Sequence, residues 1–210
     1  MLLDPWLENP KAPGGAANVD RADLILVSHG HFDHLGNTLQ VAKARGSTVL
    51  TNFEMSVYLQ SQGLSASQAV GMNKGGTVPF EGFRVTMVGA DHSSGIGDKS
   101  IIDGGNPAGW VIRFDDGTSL YHAGDTNVFG DMALIRDLYA PQVAMLPIGG
   151  HYTMAPPEAA VAARLLGVST VIPMHYGTFP VLAGTPAELV GQLSGSSVSV
   201  AVLSPGESFA

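Results

Sequence analysis

The chain has 210 residues, 45% hydrophobic and 13% charged, with 18 acidic against 10 basic side chains and a net charge of −8. That is a globular composition with enough chain to bury a core, and the lack of any Lys/Arg cluster argues against nucleic acid as a partner. No cysteine is present, which excludes disulfides and thiolate metal sites and fits a reducing compartment, so the expectation is a soluble, cytoplasmic protein with no membrane partner.

The chain reads as strands alternating with helices. "DLILVSH" from Asp23 is a buried strand, and "LGNTLQVAKARG" after it has helical spacing that ends at Gly46. "STVLT" and "FEMSVYLQSQG" repeat the strand and helix pattern. A β-rich stretch follows in "GTVPF", "FRVTMVGADH", "GWVIRFDD" and "TSLYHAG", with a hairpin turn at Asp115 to Gly117. The last third alternates again: helix "DMALIRDLY", strand "QVAMLPI", helix "PPEAAVAARLLG", strand "STVIPMH", helix "TPAELVGQLSG" and closing strand "VSVAVLSPG". Pro156, Pro157 and Pro186 fall where helix starts tolerate proline. The stretch from Ser93 to Gly109 is long for a connection and predicts a functional loop over a pocket, its "GGNPAG" letting backbone approach a ligand. The whole predicts one α/β domain over residues 1–210, layered α/β/β/α.

The chemistry concentrates in "VSHGHFDHLG", where His29, His31, Asp33 and His34 follow a strand. Residues two apart on an extended backbone aim their side chains the same way, so His29 and His31 point together. Asp33 and His34 follow after a turn, so one short loop can supply two ligands to each of two adjacent cations. Several imidazoles packed at a buried strand end are costly unless something satisfies their nitrogens. His92, Asp125 and His175 each sit at or just beyond a strand end, where α/β folds gather functional groups. Individually these three also read as loop caps or strand-end hydrogen bonds. His122 reads as a structural histidine, and His151 in the glycine-flanked "GGHYTM" as a catalytic proton donor or a loop pin.

The string "HGHFDHLG" resembles the H-x-H-x-D-H signature of the metallo-β-lactamase superfamily. "GADHSS", "YHAGDT" and "IPMHYGT" look like that superfamily's later metal motifs, in the same order. "LLDPWLENP", "GGNPAGW" and "MHYGTFPV" are similar to a bacterial and archaeal group of metal-dependent hydrolases related to L-ascorbate-6-phosphate lactonase. The resemblance implies an α/β (α+β) fold, a four-layer αββα sandwich, here without its first N-terminal strands. It implies His29, His31 and His92 on one metal, Asp33, His34 and His175 on a second, and Asp125 bridging both. It also gives Asp4 the task of steadying the histidine loop.

The implied activity is hydrolysis of a small ester, lactone or phosphodiester by a metal-bridging hydroxide, with Asp33 and His151 as the catalytic groups. The implied cofactors are two divalent metal ions, zinc first and manganese or iron as alternatives. The partner is a small-molecule substrate, and a homo-oligomer is compatible with the sequence. Competing readings are a nuclease, an oxidoreductase on the same fold, and a non-catalytic metal-binding protein.

Overall fold

Leu2–Leu3 (β1) and Leu24–Leu26 (β2) pair in parallel, Leu2 opposite Ile25, in the computed structural model, which describes residues 1–13 and 19–209. The chain then turns through two short helices, Phe32–Leu35 (α1) and Thr38–Arg45 (α2). Thr48–Asn52 (β3), Phe53–Ser61 (α3) and Ala69–Met72 (β4) follow. β3 pairs parallel to β2 and β4 parallel to β3, giving the order β1-β2-β3-β4. Asn52 starts α3 by accepting a hydrogen bond from the Met55 N–H at 2.8 Å, the usual service of an asparagine N-cap.

The described chain forms two compact units: Met1–Lys74 with Ser93–Ala108, and Gly75–His92 with Gly109–Ala210. The second begins with the hairpin Thr77–Phe80 (β5) and Phe83–Gly89 (β6). Gly95–Ile96 (β7) and Ile102–Asp103 (β8) return to the first unit as a small antiparallel hairpin. The rest is Ala108–Phe114 (β9), Ser119–His122 (β10), Met132–Tyr139 (α4), Val143–Pro147 (β11), Pro156–Leu166 (α5), Thr170–Met174 (β12), Pro186–Gln192 (α6) and Ser199–Val200 (β13). The seven-stranded sheet runs β13-β12-β11-β10-β9-β6-β5, with β10 to β13 parallel and β9 antiparallel to β10.

Each unit has its own core. In the first, Ile25, Val27 and Val49 from the sheet meet Met55 and Leu59 of α3. In the second, Val111, Tyr121, Ala144, Leu146 and Val171 meet α5, whose Ala159, Ala160, Ala162 and Ala163 are fully buried. Each large aliphatic side chain so buried contributes about 1.5–3 kcal/mol. Among the described residues no helix is long and apolar enough to cross a membrane.

The mixed α/β class and the strand-helix alternation are as the sequence predicts, with three local differences. The helix expected from Leu35 to Gly46 is broken at Gly36, which has φ +42°, because the Asn37 N–H donates to the Pro5 carbonyl at 2.8 Å. A Cβ on Gly36 would lie 2.5 Å from that same carbonyl oxygen. The closing strand is only Ser199–Val200. The stretch 93–109 is not irregular throughout: it holds β7 and β8, and Gly104 and Gly105 approach side chains of their own unit. A Cβ on Gly105 would lie 2.5 Å from Glu54 Oε2 and 3.0 Å from Asn52 Oδ1.

Candidate metal centre

In the first unit the site is built from one carboxylate outward. Asp4 follows β1 with φ +44°, its N–H held by the Leu26 carbonyl at 2.9 Å. Its Oδ1 accepts from the Ser28 N–H at 2.7 Å, and its Oδ2 accepts from Ser28 Oγ at 2.6 Å and His34 Nδ1 at 2.8 Å. A carboxylate only accepts, so the Ser28 hydroxyl hydrogen is committed to Asp4. Ser28 Oγ must then accept from His29 Nδ1, 2.9 Å away. Both histidines are thereby fixed as Nδ1–H tautomers with the lone pair on Nε2, the arrangement found in metal-ligating imidazoles.

His29 is fully buried, and its Nε2 lies 2.9 Å from His31 Nδ1. Two ring nitrogens this close share one proton or one cation. With ligand bonds of about 2.1 Å, an angle of about 90° at the ion gives that separation. Asp4, His29 and His34 each bring a ligand atom within 4.8 Å of the others. Asp33 lies beside them, its Oδ2 3.7 Å from His34 Nε2. The donor set, imidazole with carboxylate and no thiolate, fits a divalent ion of the zinc, manganese or iron kind.

The second unit carries the other group. Asp125, 3% exposed, follows β10, and its Oδ2 lies 3.2 Å from His175 Nε2 and 3.7 Å from His92 Nε2. One carboxylate oxygen thus faces two imidazoles. His175 ends β12 in a left-handed conformation, φ +54°, and Gly149 lies so close that a Cβ there would collide with the His175 carbonyl. The neighbouring loops are tied: the Asp91 N–H donates to Thr126 Oγ1 at 2.9 Å, and the Met154 N–H to the Thr126 carbonyl at 3.2 Å.

The structure therefore brings His29, His31, Asp33 and His34 together in one unit and His92, Asp125 and His175 in the other. His122 is buried, and its Nδ1 accepts from the Gly124 N–H at 3.1 Å, the strand-end hydrogen bond expected of a structural histidine. His151 is exposed on its loop with φ +60°, edge-on to Tyr152 at 4.4 Å between ring centroids.

Sequence reasoning missed the residues that brace the histidine loop. Ser94 Oγ accepts from the Gly30 N–H at 3.1 Å and donates to the Gly104 carbonyl at 3.0 Å. Asn52 Nδ2 donates to the carbonyls of Gly104 and Asn106 at 2.7 and 3.0 Å. Ser28 was visible beside His29 in the motif, whereas Ser94 and Asn52 carry no local signal.

In each unit, histidine and aspartate donors gathered at strand ends form a candidate metal-binding group. The chain matches the Beta-lactamase superfamily domain over residues 1–176, a span that includes all seven candidate ligands. It is 50% identical over 212 residues to a UPF0173 metal-dependent hydrolase of Rubrobacter xylanophilus, covering 99% of this chain and 87% of that one. A UPF0173 metal-dependent hydrolase of Methanopyrus kandleri is 46% identical, over 100% of this chain and 91% of its own length. Among solved structures it is similar to Igni18, a metallo hydrolase from Ignicoccus hospitalis, with a TM-score of 0.86 and 38% identity over 98% of this chain and 88% of that chain. The chain belongs to the beta-lactamase superfamily domain family, in its UPF0173 metal-dependent hydrolase group.

Proposed function

We propose that the chain is a dinuclear metal-dependent hydrolase of small esters, lactones or phosphodiesters, working in the cytoplasm as one metallo-β-lactamase-like domain over residues 1–210. His29, His31 and His92 would hold one ion, Asp33, His34 and His175 the other, and Asp125 both. Zinc is the first expectation, with manganese and iron as alternatives. Bound there, the ions supply Lewis acidity and the activation of water at neutral pH.

The protein's own groups do the rest. Asp4, directly for His34 and through the Ser28 hydroxyl for His29, engages both Nδ1 atoms and leaves the Nε2 atoms to face an ion. The Asp33 carboxylate orients the attacking water and takes up its proton. The His151 imidazole, on its exposed loop, donates a proton to the leaving group. The observation that carries this reading is the convergence of His29 Nε2 and His31 Nδ1 at 2.9 Å, with the His29 tautomer fixed from behind.

The test is elemental analysis of the purified protein, then a panel of esters, lactones and phosphodiesters, with Asp125→Ala as control. The expected result is two equivalents of metal per chain and turnover that falls by more than about 100-fold in the variant. A metal-loaded chain that turns over nothing on the panel above the Asp125→Ala background would instead be a non-catalytic metal-binding protein.

A further inference from the structure

His31 is oriented differently from the other two imidazoles of its loop. His29 and His34 are engaged at Nδ1, by Ser28 and Asp4, so that Nε2 is the atom each can offer an ion. The His31 ring is turned the other way. Its Nδ1 meets His29 Nε2 at 2.9 Å, and its Nε2 lies 3.3 Å from Ser93 Oγ, near the long end for a hydrogen bond.

The neighbouring backbone brings Ser93 to that place. Ser94 Oγ accepts from the Gly30 N–H and donates to the Gly104 carbonyl, and the Gly104 N–H donates back to the Ser94 carbonyl at 2.8 Å. Ile96 of β7 lies against Gly30, where a Cβ would come 2.6 Å from its Cγ1. Gly30 separates His29 from His31, so the β7–β8 hairpin docks on the histidine loop itself. Buried Ser94 thereby holds the loop's backbone, and exposed Ser93 meets the His31 side chain.

A neutral imidazole carries one ring proton. Because His29 is fixed as the Nδ1–H form, its Nε2 presents a lone pair to His31 Nδ1. The His31 proton then has two satisfied places. On Nδ1 it is donated to His29 Nε2, and His31 Nε2 accepts from the Ser93 hydroxyl. On Nε2 it is donated to Ser93 Oγ, and Nδ1 offers its lone pair to an ion. A serine hydroxyl serves both forms, since it rotates and has one donor and two acceptor pairs.

We propose that Ser93 is a positioning residue of the metal centre. It holds the His31 ring with Nδ1 toward His29 Nε2 and takes the Nε2–H when an ion is bound, so His31 ligates as the opposite tautomer from His29 and His34. The inference rests on the metal-dependent reading above and deepens its ligand set.

The test uses the full-length protein, stripped of metal and titrated with zinc alone. Imidazole nitrogen NMR follows the rings, with His31 assigned against a His31→Gln sample. Zinc is expected to move the His31 proton from Nδ1 to Nε2 while His29 and His34 keep theirs on Nδ1. Ser93→Ala should weaken zinc binding by about 10- to 100-fold and leave the urea midpoint of the metal-free protein unchanged. Ser93→Thr, which keeps a hydroxyl, should restore the affinity. His31 binding zinc as the Nδ1–H tautomer, a threonine variant no better than alanine, or an alanine variant whose metal-free midpoint falls with its affinity would overturn the proposal. Zinc held equally by wild type and Ser93→Ala would strike the role of Ser93 alone, whereas a wild type that binds no zinc would sink the hydrolase reading with it. The tautomer change in a protein that hydrolyses nothing would sink the hydrolase reading and leave the role of Ser93 standing.

Discussion

Replacing Asp4 with asparagine tests the wiring of the histidine loop, because the change is nearly isosteric but alters which groups accept. The Asp4 side chain is 7% exposed and accepts from the Ser28 N–H, the Ser28 hydroxyl and His34 Nδ1. An asparagine can keep the Ser28 N–H on its Oδ1, but its amide nitrogen then faces Ser28 Oγ and His34 Nδ1 as a donor. His34 must give up its Nδ1 proton and carry it on Nε2. Ser28 Oγ must turn its hydrogen toward His29, which pushes that ring to the Nε2–H form as well. Both ligating faces are lost by a change that touches neither ring.

A hydrogen bond to a charged group is worth about 1.5–3 kcal/mol against about 0.5–1.5 for a neutral one, so three weakened bonds predict a loss of about 3 kcal/mol in stability. Metal affinity should fall by about 10- to 100-fold. Urea denaturation of the metal-stripped protein reads the first, zinc titration calorimetry the second, and imidazole nitrogen NMR the tautomers. If Asp4→Asn leaves His29 and His34 as Nδ1–H tautomers and holds zinc as the wild type does, the reasoning is refuted.

Two further outcomes follow from single residues. His151→Asn keeps a side chain that tolerates the left-handed backbone at φ +60° while removing the imidazole, so turnover should drop at least about 100-fold with metal content unchanged by elemental analysis. Equal turnover would return His151 to a loop-pinning role. Tyr121 is fully buried, its hydroxyl has no hydrogen-bond partner among the described residues, and burial pushes its phenol far above the ordinary value. Tyr121→Phe should therefore cost little or add up to about 1 kcal/mol in denaturation at pH 7. Because the folded phenol stays protonated where the unfolded one ionises, wild-type stability should decline above about pH 10 while that of the variant declines less. A strongly destabilised variant at neutral pH would show that the hydroxyl has a partner.

What the sequence disclosed follows from how local each feature is. His29, His31, Asp33 and His34 lie within six positions, so their convergence could be read from backbone periodicity alone, and Asp4 was reachable through the resemblance. The break at Gly36 could not be read that way, since the Pro5 carbonyl that forces it comes from a distant segment. The same holds for Ser94 and Asn52, ordinary polar residues whose meaning lies in the Gly30 and Gly104 backbone groups they happen to meet. The hairpin within the 93–109 stretch was not legible, because glycines permit close approach without saying to what. Within its own unit the stretch approaches Asn52, Glu54 and Ser94.

Prolines at helix starts show the limit most clearly. Pro156, Pro157 and Pro186 were legible as residues that fit a first helical turn, and they do occupy it. Their second consequence, the loss of N–H groups that would draw an anion, is also a property of proline alone. That α5 and α6 begin beside one cleft, with His151 and Glu188 in its wall, is visible only in the fold. Sequence supplies each residue's capability; the fold decides which capabilities act on the same ligand.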